Sequence, residues 1–441
     1  MLLWALLAGF VLRLVPMLMW AQKPCVRDEC TYQELAASML SGDGMEGSHG
    51  WLWAPAYPAL MALHGLVTGE TATIQVTQLA VSVWALVLLY DLARGEFDMR
   101  TARWAVWIQA LNPTHIFYTA SLWSECLYSA LLLASLLAVR WARQGGAARG
   151  WLPGVLVGGC VLFRGVATYV LPIYAIALLW GRVRERAAWR GMAACVVAAV
   201  LTVAPYSAYA TQKFGGLIIS DRTLGQMMWL GNNDFPPMTF DYGNGGNSDR
   251  IYDRVSKEGR DHCRYKRNPV RQDTCEVRNG TQWIRAHPTA FVTRMPERVA
   301  QLVNPHSFLT RHLRWGKWQG MPEWLDEALI VGVVHFSFLV LAGGTFGFFA
   351  RARGWFAVAS GLIVLYHVGA IALLAGLTRY RVPLEPLWTV YVAALIVAPR
   401  TALTALEDSR VRALAAMVVT AILLGLMLRF LPVGWPGWGP W

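Results

Sequence analysis

The chain has 441 residues, of which 56% are hydrophobic and 15% charged, with 22 tryptophans and a formal net charge of +12. A soluble globular domain carries about a quarter charged residues. The apolar residues here come in runs close to the roughly 20 that a bilayer-crossing helix needs, which excludes a soluble domain and sets the class as an all-α polytopic membrane protein. Much of the positive charge lies in short loops between apolar runs, where it orients a membrane protein, so no nucleic-acid partner is expected.

The first run, residues 1–21, lacks a basic start and a clear small-x-small cleavage site, and Arg13 interrupts it. With further spans following, it reads as a retained transmembrane helix rather than a signal peptide. Residues 25–69 are mixed, rich in Pro, Gly, Trp and Tyr, and hold two short amphipathic pieces, 32–40 and 59–67, that read as helices lying on the membrane surface. Further spans are expected at about 73–93, 102–121, 124–141, 151–163, 165–180, 191–209, 325–350, 355–377, 387–398 and 411–431, about eleven in all.

Arginines set the orientation. Arg94, Arg100 and Arg103 lie in one loop, and Arg140, Arg143 and Arg149 in the next on the same side. The series continues with Arg182, Arg184, Arg186 and Arg190, then Arg351 and Arg353, then Arg400, Arg410 and Arg412. By the positive-inside rule these loops are cytoplasmic. The first loop (22–70), a polar segment (210–324) and the loop 378–386 then face outside. Three parts follow: a transmembrane module with its first outer loop (1–209), an extracytoplasmic segment (210–324) packed over the outer end of the bundle, and C-terminal helices (325–441).

Of the seven cysteines, Cys126, Cys160 and Cys195 fall in apolar runs and read as small core residues. Cys25 and Cys30 share the first loop, and Cys263 and Cys275 the polar segment. In an oxidising compartment each pair is expected to form a disulfide. The competing zinc reading is less favoured, because the spacings do not match the usual close CxxC pairs.

Several polar residues fall on the expected outer side. Asp28 and Glu29 follow the first span, with Tyr32 one turn on. A carboxylate at the outer mouth of a bundle serves as general base on an acceptor hydroxyl or holds a divalent metal; the plain alternative is a hydrated loop acid beside Arg27. Glu125, after Ser121-Leu122-Trp123-Ser124, opens a span on the same side, where an acid also simply caps a helix. Arg164 lies between two short apolar runs. A charge at that depth is costly and usually functional, and a guanidinium there suits a lipid phosphate, with snorkelling to headgroups as the alternative. Arg379 and Arg381 add two guanidiniums on the same side, and Trp51, Trp53 and Tyr57 form an aromatic surround. The set fits a phosphate at the interface with a sugar above it.

These residues resemble those of the bacterial polyprenyl-phosphate-dependent members of the GT-C glycosyltransferase superfamily, which include protein O-mannosyltransferase-like enzymes and the lipid A aminoarabinose transferase. Asp28-Glu29-x-x-Tyr32 resembles the Asp-Glu of the family's first outer loop, and Trp53-Ala54-Pro55-Ala56-Tyr57-Pro58 the Pro-x-Tyr-Pro segment that follows. Ser124-Glu125 is similar to the acidic start of the fourth span. Gly231-Asn232-Asn233 resembles the segment opening the outer domain, and the run from Arg379 to Pro386 resembles the Arg-Tyr-Arg-x-Pro-x-Glu-Pro loop. Leu162-Phe163-Arg164-Gly165 resembles a basic short-helix turn, yet that turn usually reads Thr-Arg-Pro or Thr-Lys, so the basic group is kept while the local geometry around it differs.

The resemblance implies a GT-C-like fold and transfer of a sugar from a polyprenyl-phosphate donor, normally with inversion, to a protein, lipid A or surface-glycan acceptor at the periplasmic face of a bacterial inner membrane. It implies Asp28 as base, with Glu29 and Glu125 orienting sugar, acceptor or Asp28. Arg164, Arg379 and Arg381 would bind the donor phosphate and stabilise it as it leaves, and Tyr32, Trp53 and Tyr57 would line the substrate pocket. Some relatives use a divalent metal; His49 and His64 are the histidines that would join the acids in holding one. The rivals are a lipid-linked sugar flippase, which would favour internal repeats and broken helices at the midplane, a non-catalytic envelope scaffold, and a ligase or polymerase using a diphosphate-linked donor.

Overall fold

The computed structural model describes residues 1–20, 25, 28–45, 52–235, 257, 263, 268–314 and 321–431. The helices are α1 (Leu2–Trp20), α2 (Asp28–Leu40), α3 (Ala56–Thr68), α4 (Ile74–Glu96), α5 (Met99–Ala110), α6 (Pro113–Ala120), α7 (Glu125–Gln144), α8 (Trp151–Phe163), α9 (Val170–Leu179) and α10 (Arg186–Phe214). They continue with α11 (Leu224–Gly231), α12 (Pro269–Ala286), α13 (Pro288–Val303), α14 (Phe308–Arg314), α15 (Glu323–Phe338), α16 (Gly344–Arg351), α17 (Gly354–Leu373), α18 (Glu385–Val397), α19 (Pro399–Glu407) and α20 (Arg410–Leu428). Among the described residues there is no strand, only one isolated antiparallel bridge between Leu52 and Arg222.

Every apolar run expected to span is helical, and the protein is integral to the membrane. Among the described residues, seven helical stretches are long and apolar enough to cross a bilayer, with an eighth if Thr378–Val397 and Pro399–Glu407, bent by 95°, count as one span. The hydropathy reading of about eleven is thus not matched one for one. The run 102–121 breaks into α5 and α6 because Pro113 has no N–H to give and disfavours a preceding helical residue, while the Asn112 side chain accepts from the amides of Thr114 and His115 and starts a new helix. The runs 151–163 and 165–180 are short helices that meet at Arg164, whose backbone is extended (φ −154°, ψ 119°).

Two features fix the bundle around the site. Gly154 and Gly158, four residues apart and so on one face of α8, let that helix lie against α10. A Cβ at Gly154 would come within 2.2 Å of the Cys195 carbonyl oxygen, and one at Gly158 within 2.7 Å of Thr202 Cβ. Small residues permit this close approach where the hydrophobic effect cannot drive helices together.

The second feature is Arg13. It is buried in α1, donating from Nε to Ser82 Oγ (2.7 Å), from Nη1 to the carbonyls of Gly9 and Ala110 (both 3.0 Å), and from Nη2 to the Gln109 carbonyl (3.1 Å). Gln109 and Ala110 end α5, so the guanidinium sits at a helix C-terminus, where the backbone dipole is negative. The charge that interrupts the first apolar run therefore clamps α1 to α4 and α5. Arg13→Ala is expected to destabilise the protein by about 3 kcal/mol, the order expected for losing charge-assisted hydrogen bonds in a buried place. Thermal unfolding in detergent reads this; an unchanged midpoint would refute the clamp.

Both expected disulfides are formed, Cys25–Cys30 and Cys263–Cys275. The described part of the polar segment packs on one end of the bundle. Arg298 of α13 donates to the carbonyls of Ala372 (2.9 Å) and Leu373 (3.3 Å) at the end of α17 and to Gly231 O and Asn232 Oδ1. The arginine loops gather at the other end, where Arg140 pairs with Asp91, Arg143 lies over Trp355 and Arg351 over Phe97. The 20-residue α7 runs between the two ends, a length of about 30 Å, with Glu125 at its start and Arg143 in its last turn.

Candidate active site

The acids come from two helix N-termini. Asp28 and Glu29 open α2 and Glu125 opens α7, the positions where a helix favours negative charge. Glu29 is buried, and its Oε1 accepts the Leu122 amide at 3.1 Å, tying α2 to the loop before α7. Asp28 keeps 24% of its side chain exposed and is ion-paired with Arg379 Nη1. Glu125, with 2% of its side chain exposed, pairs with Arg164 Nη1 at 2.6 Å and lies 3.9 Å from Arg379 Nε. Arg379 thus bridges two carboxylates, and Asp28, Arg379, Glu125 and Arg164 form one alternating chain of charges. Aromatic faces brace both guanidiniums: Tyr380 lies 5.6 Å from Arg164 Cζ and 5.3 Å from Arg379 Cζ, and Trp123 lies 5.8 Å from Arg379 Cζ.

The predicted aromatic residues divide into front and back. Tyr32 packs edge-on against Trp53 (5.3 Å) and Tyr57 (4.8 Å). Its hydroxyl meets Ser124 Oγ at 3.4 Å, and Ser124 Oγ accepts from Arg164 at 3.2 Å. Burial pushes the Tyr32 hydroxyl well above its ordinary pKa, so it stays a neutral hydrogen-bonding group. Tyr57 is fully buried behind it and donates to Gln78, whose amide in turn donates to the carbonyls of Thr119 and Ser121. Tyr57 supports the loop that leads into α7 and Glu125.

Arg381 is a correction. It does not join Arg164 and Arg379. Its side chain is fully buried, donating from Nε to Glu385 Oε1 (3.0 Å), from Nη1 to the carbonyls of Leu302 (3.4 Å) and Asn304, and from Nη2 to Ser337 Oγ (2.9 Å). Residues Thr378–Leu384 form a 3₁₀ helix. At three residues per turn, side chains two apart point about 120° from each other, so Arg379 and Arg381 cannot face one ligand. Arg381 anchors the loop and Arg379 meets Asp28 and Glu125.

Trp51 and His49 lie outside the described residues. His64 meets the hydroxyls of Thr73 (3.2 Å) and Thr77 (2.9 Å). Among the described residues no three His, Cys, Asp or Glu side chains gather as a metal set. Asp221 was not singled out from the sequence. Its Oδ2 accepts the Gly165 amide at 3.2 Å, beside the Arg164 turn, and burial pushes its carboxyl up to about 6. The sequence signal beside it is the departure of Phe163-Arg164-Gly165 from the resembled turn.

No protein-family model matches the chain, and no curated protein matches it. Among solved structures, the oligosaccharyltransferase of Archaeoglobus fulgidus in its apo form aligns over 100% of this chain and 56% of its own, with TM-score 0.52 and 14% identity. The same archaeal enzyme, AglB, in complex with an inhibitory peptide and a dolichol-phosphate, aligns over 99% of this chain and 56% of its own, with TM-score 0.50 and 15% identity. This chain shares the fold of the aligned part of that archaeal enzyme. It spans a little over half the length of the archaeal enzyme. ArnT from Cupriavidus metallidurans bound to undecaprenyl phosphate aligns over 90% of this chain and 78% of its own, with TM-score 0.43 and 12% identity. On this scaffold the acid–arginine chain is built at the end of the bundle opposite the arginine loops, from the starts of α2 and α7, the α8–α9 turn and the loop before α18.

Proposed function

We propose that this protein is a membrane glycosyltransferase that takes a sugar from a polyprenyl-phosphate carrier and transfers it to an acceptor at the extracytoplasmic face. The observation that carries this reading is the bridged set Asp28–Arg379–Glu125–Arg164: two guanidiniums, each 13% exposed, next to a carboxylate that is more open than either. Guanidinium forks match phosphate geometry. A donor phosphate arriving there would compete with Asp28 for Arg379. The carboxylate is then free to take a proton from an acceptor hydroxyl.

In the proposed reaction the acceptor oxygen attacks the anomeric carbon. The new C–O bond forms as the bond from that carbon to the phosphate oxygen breaks, and the anomeric configuration inverts. The acceptor proton passes to Asp28, and polyprenyl phosphate leaves with the electron pair, its growing charge met by Arg164 and Arg379. Glu125 fixes both guanidiniums, and Glu29 fixes the start of α7 through Leu122. Tyr32 and Trp53 present aromatic surface and a neutral hydroxyl to the sugar. The donor class is a polyprenyl-phosphate hexose or pentose, and the acceptor classes are a protein hydroxyl, lipid A or a surface glycan, in a bacterial inner membrane.

Two further facts support the reading. The fold is that of an archaeal oligosaccharyltransferase, one structure of which holds a dolichol-phosphate. By the positive-inside rule the acid–arginine chain is expected to face outside. The test is release of free polyprenyl phosphate from a panel of polyprenyl-phosphate sugars, in membranes that supply acceptors. Release above that of membranes without the protein is expected. Absence of release, with lipid-linked sugar crossing the bilayer instead, would replace the transferase by a flippase.

A further inference from the structure

The Arg164 turn departs from the resembled pattern on both sides of the arginine, at Phe163 and at Gly165, and the structure places an acid against the second of these. A Cβ added at Gly165 would come within 2.3–2.5 Å of the Asp221 carboxylate atoms, closer than real Cβ contacts allow. The same carboxylate accepts the Gly165 amide at 3.2 Å. A proline here would lack that amide and fill that space. Glycine and Asp221 therefore form a matched pair across 56 residues of sequence.

Asp221 sits on a firmly held strap. Ser207 Oγ of α10 donates to Ile218 O at 2.5 Å, and the Arg222 amide donates to Leu52 O at 2.7 Å. The Arg222 side chain pairs with Asp273 of α12 at 3.1 Å, and Asp273 Oδ1 accepts the Gly225 amide at 2.6 Å. Leu52 precedes Trp53, which packs on Tyr32; Tyr32 meets Ser124, and Ser124 accepts from Arg164. The strap thus closes a ring of contacts around Arg164, joining the first loop to the short-helix turn.

We propose that Asp221 is a positioning residue: its carboxylate occupies the place of a side chain at position 165, holds the Gly165 amide, and so fixes the turn from which Arg164 reaches Glu125. The role rests on the reading of Arg164 as a phosphate-binding group. The ionised form is the one that grips an amide strongly. Asp221 faces Arg164 from the turn, Asp273 from α12, Tyr206 from α10 and Tyr366 from α17, with Thr223 on its own strap. Burial is the largest influence and Asp273 adds to it, against the Gly165 amide and Arg164, so the carboxyl titrates near 6 rather than in the usual carboxylate range. The grip is present above that pH and lost below it.

The experiment compares wild type with Asp221→Asn, which keeps the shape and mimics the neutral acid. Undecaprenyl phosphate is the probe, and affinity is measured from pH 5 to pH 7.5. The probe's own titration is common to both proteins and cancels in the ratio. At pH 7.5 the variant is expected to bind about tenfold more weakly, the worth of one charge-assisted hydrogen bond, and at pH 5 the two should converge. A ratio that does not change with pH means a merely structural side chain and overturns the proposal. In parallel, hydrogen exchange over residues 163–169 is read in both proteins at both pH values. Faster exchange in Asp221→Asn at pH 7.5 but not at pH 5 is expected, and identical exchange overturns the proposal. If wild type binds no undecaprenyl phosphate, the phosphate reading of the site fails, and the exchange comparison alone decides whether Asp221 holds the turn. A second pair guards against misfolding: Gly165→Ala should bind more weakly than Asp221→Asn, and adding Asp221→Gly should return affinity to the Asp221→Asn level, because the clash is relieved while the grip on the amide stays lost. No recovery would overturn the steric match.

Discussion

Asp28→Asn is expected to lower release of polyprenyl phosphate by about 10²-fold or more while leaving the protein folded. Asparagine keeps the shape of the side chain and its place at the start of α2, but it cannot take a proton from an acceptor hydroxyl, and a positioned general base is worth about 10²–10⁴ in rate. The structural cost is moderate. The Asp28–Arg379 pair is mostly buried, with 13% of the arginine and 24% of the acid side chain exposed, so neutralising the acid costs more than losing a surface pair, but asparagine still accepts a hydrogen bond. Arg379 also keeps Glu125 at 3.9 Å, so its guanidinium is not stranded. Rate and stability should therefore separate. Release assays with the purified variant, alongside its thermal midpoint in detergent, provide the check. Equal release by variant and wild type would keep the enzyme and discard Asp28 as base. Loss of release together with loss of fold would leave Glu29, buried one residue away, as the residue to examine next.

Arg379 and Arg381 are expected to part company although only two positions separate them. Arg381→Met should destabilise the protein by about 3–5 kcal/mol. It strands Glu385 as a buried charge, and breaking a buried pair from one side costs that much. Glu385 would keep only Asn112 Nδ2 at 2.9 Å and His115 Nε2 at 3.7 Å. The carbonyls of Leu302 and Asn304 would also lose their donor. Arg379→Gln should fold like wild type and lose about 10²–10³ in transfer rate, the usual effect of removing one preorganised group from a developing negative charge. Thermal denaturation and donor-lipid release, run on both variants, separate the two roles. A stable Arg381→Met protein that has lost only transfer would return Arg381 to the phosphate site and refute the assigned rotation of the 3₁₀ helix.

Much of the candidate site was legible before the fold was known, and the reason lies in local chemistry. Acids beside apolar runs on the expected outer side stand out whatever the tertiary arrangement, so Asp28, Glu29 and Glu125 are legible as a group from the sequence, although the start of α2 at Asp28 is not. What local pattern cannot apportion is their roles. Glu29 spends an oxygen on the Leu122 amide and is buried, whereas Asp28, on the preceding residue, reaches Arg379 across 351 positions and keeps some exposure. A helix turns about 100° per residue, so adjacent acids look in different directions, and only the position of α7 and the 378–384 loop says which faces the arginines.

By itself the sequence determined the membrane class, the helical identity of each apolar run, the pairing of Cys25 with Cys30 and Cys263 with Cys275, and the residue types gathered at one end of the bundle. These depend on composition, on run length and on neighbours close along the chain. The tertiary structure alone decided that the run 102–121 is two helices joined at Asn112–Pro113, that Arg13 clamps α1 to the end of α5, that Arg379 and not Arg381 meets the acids, and that Asp221 stands behind Gly165. Hydropathy reports how apolar a segment is, summed over its length. It carries no information on rotation about the helix axis or on which distant segment supplies the opposite charge, and those two quantities place every group in this site.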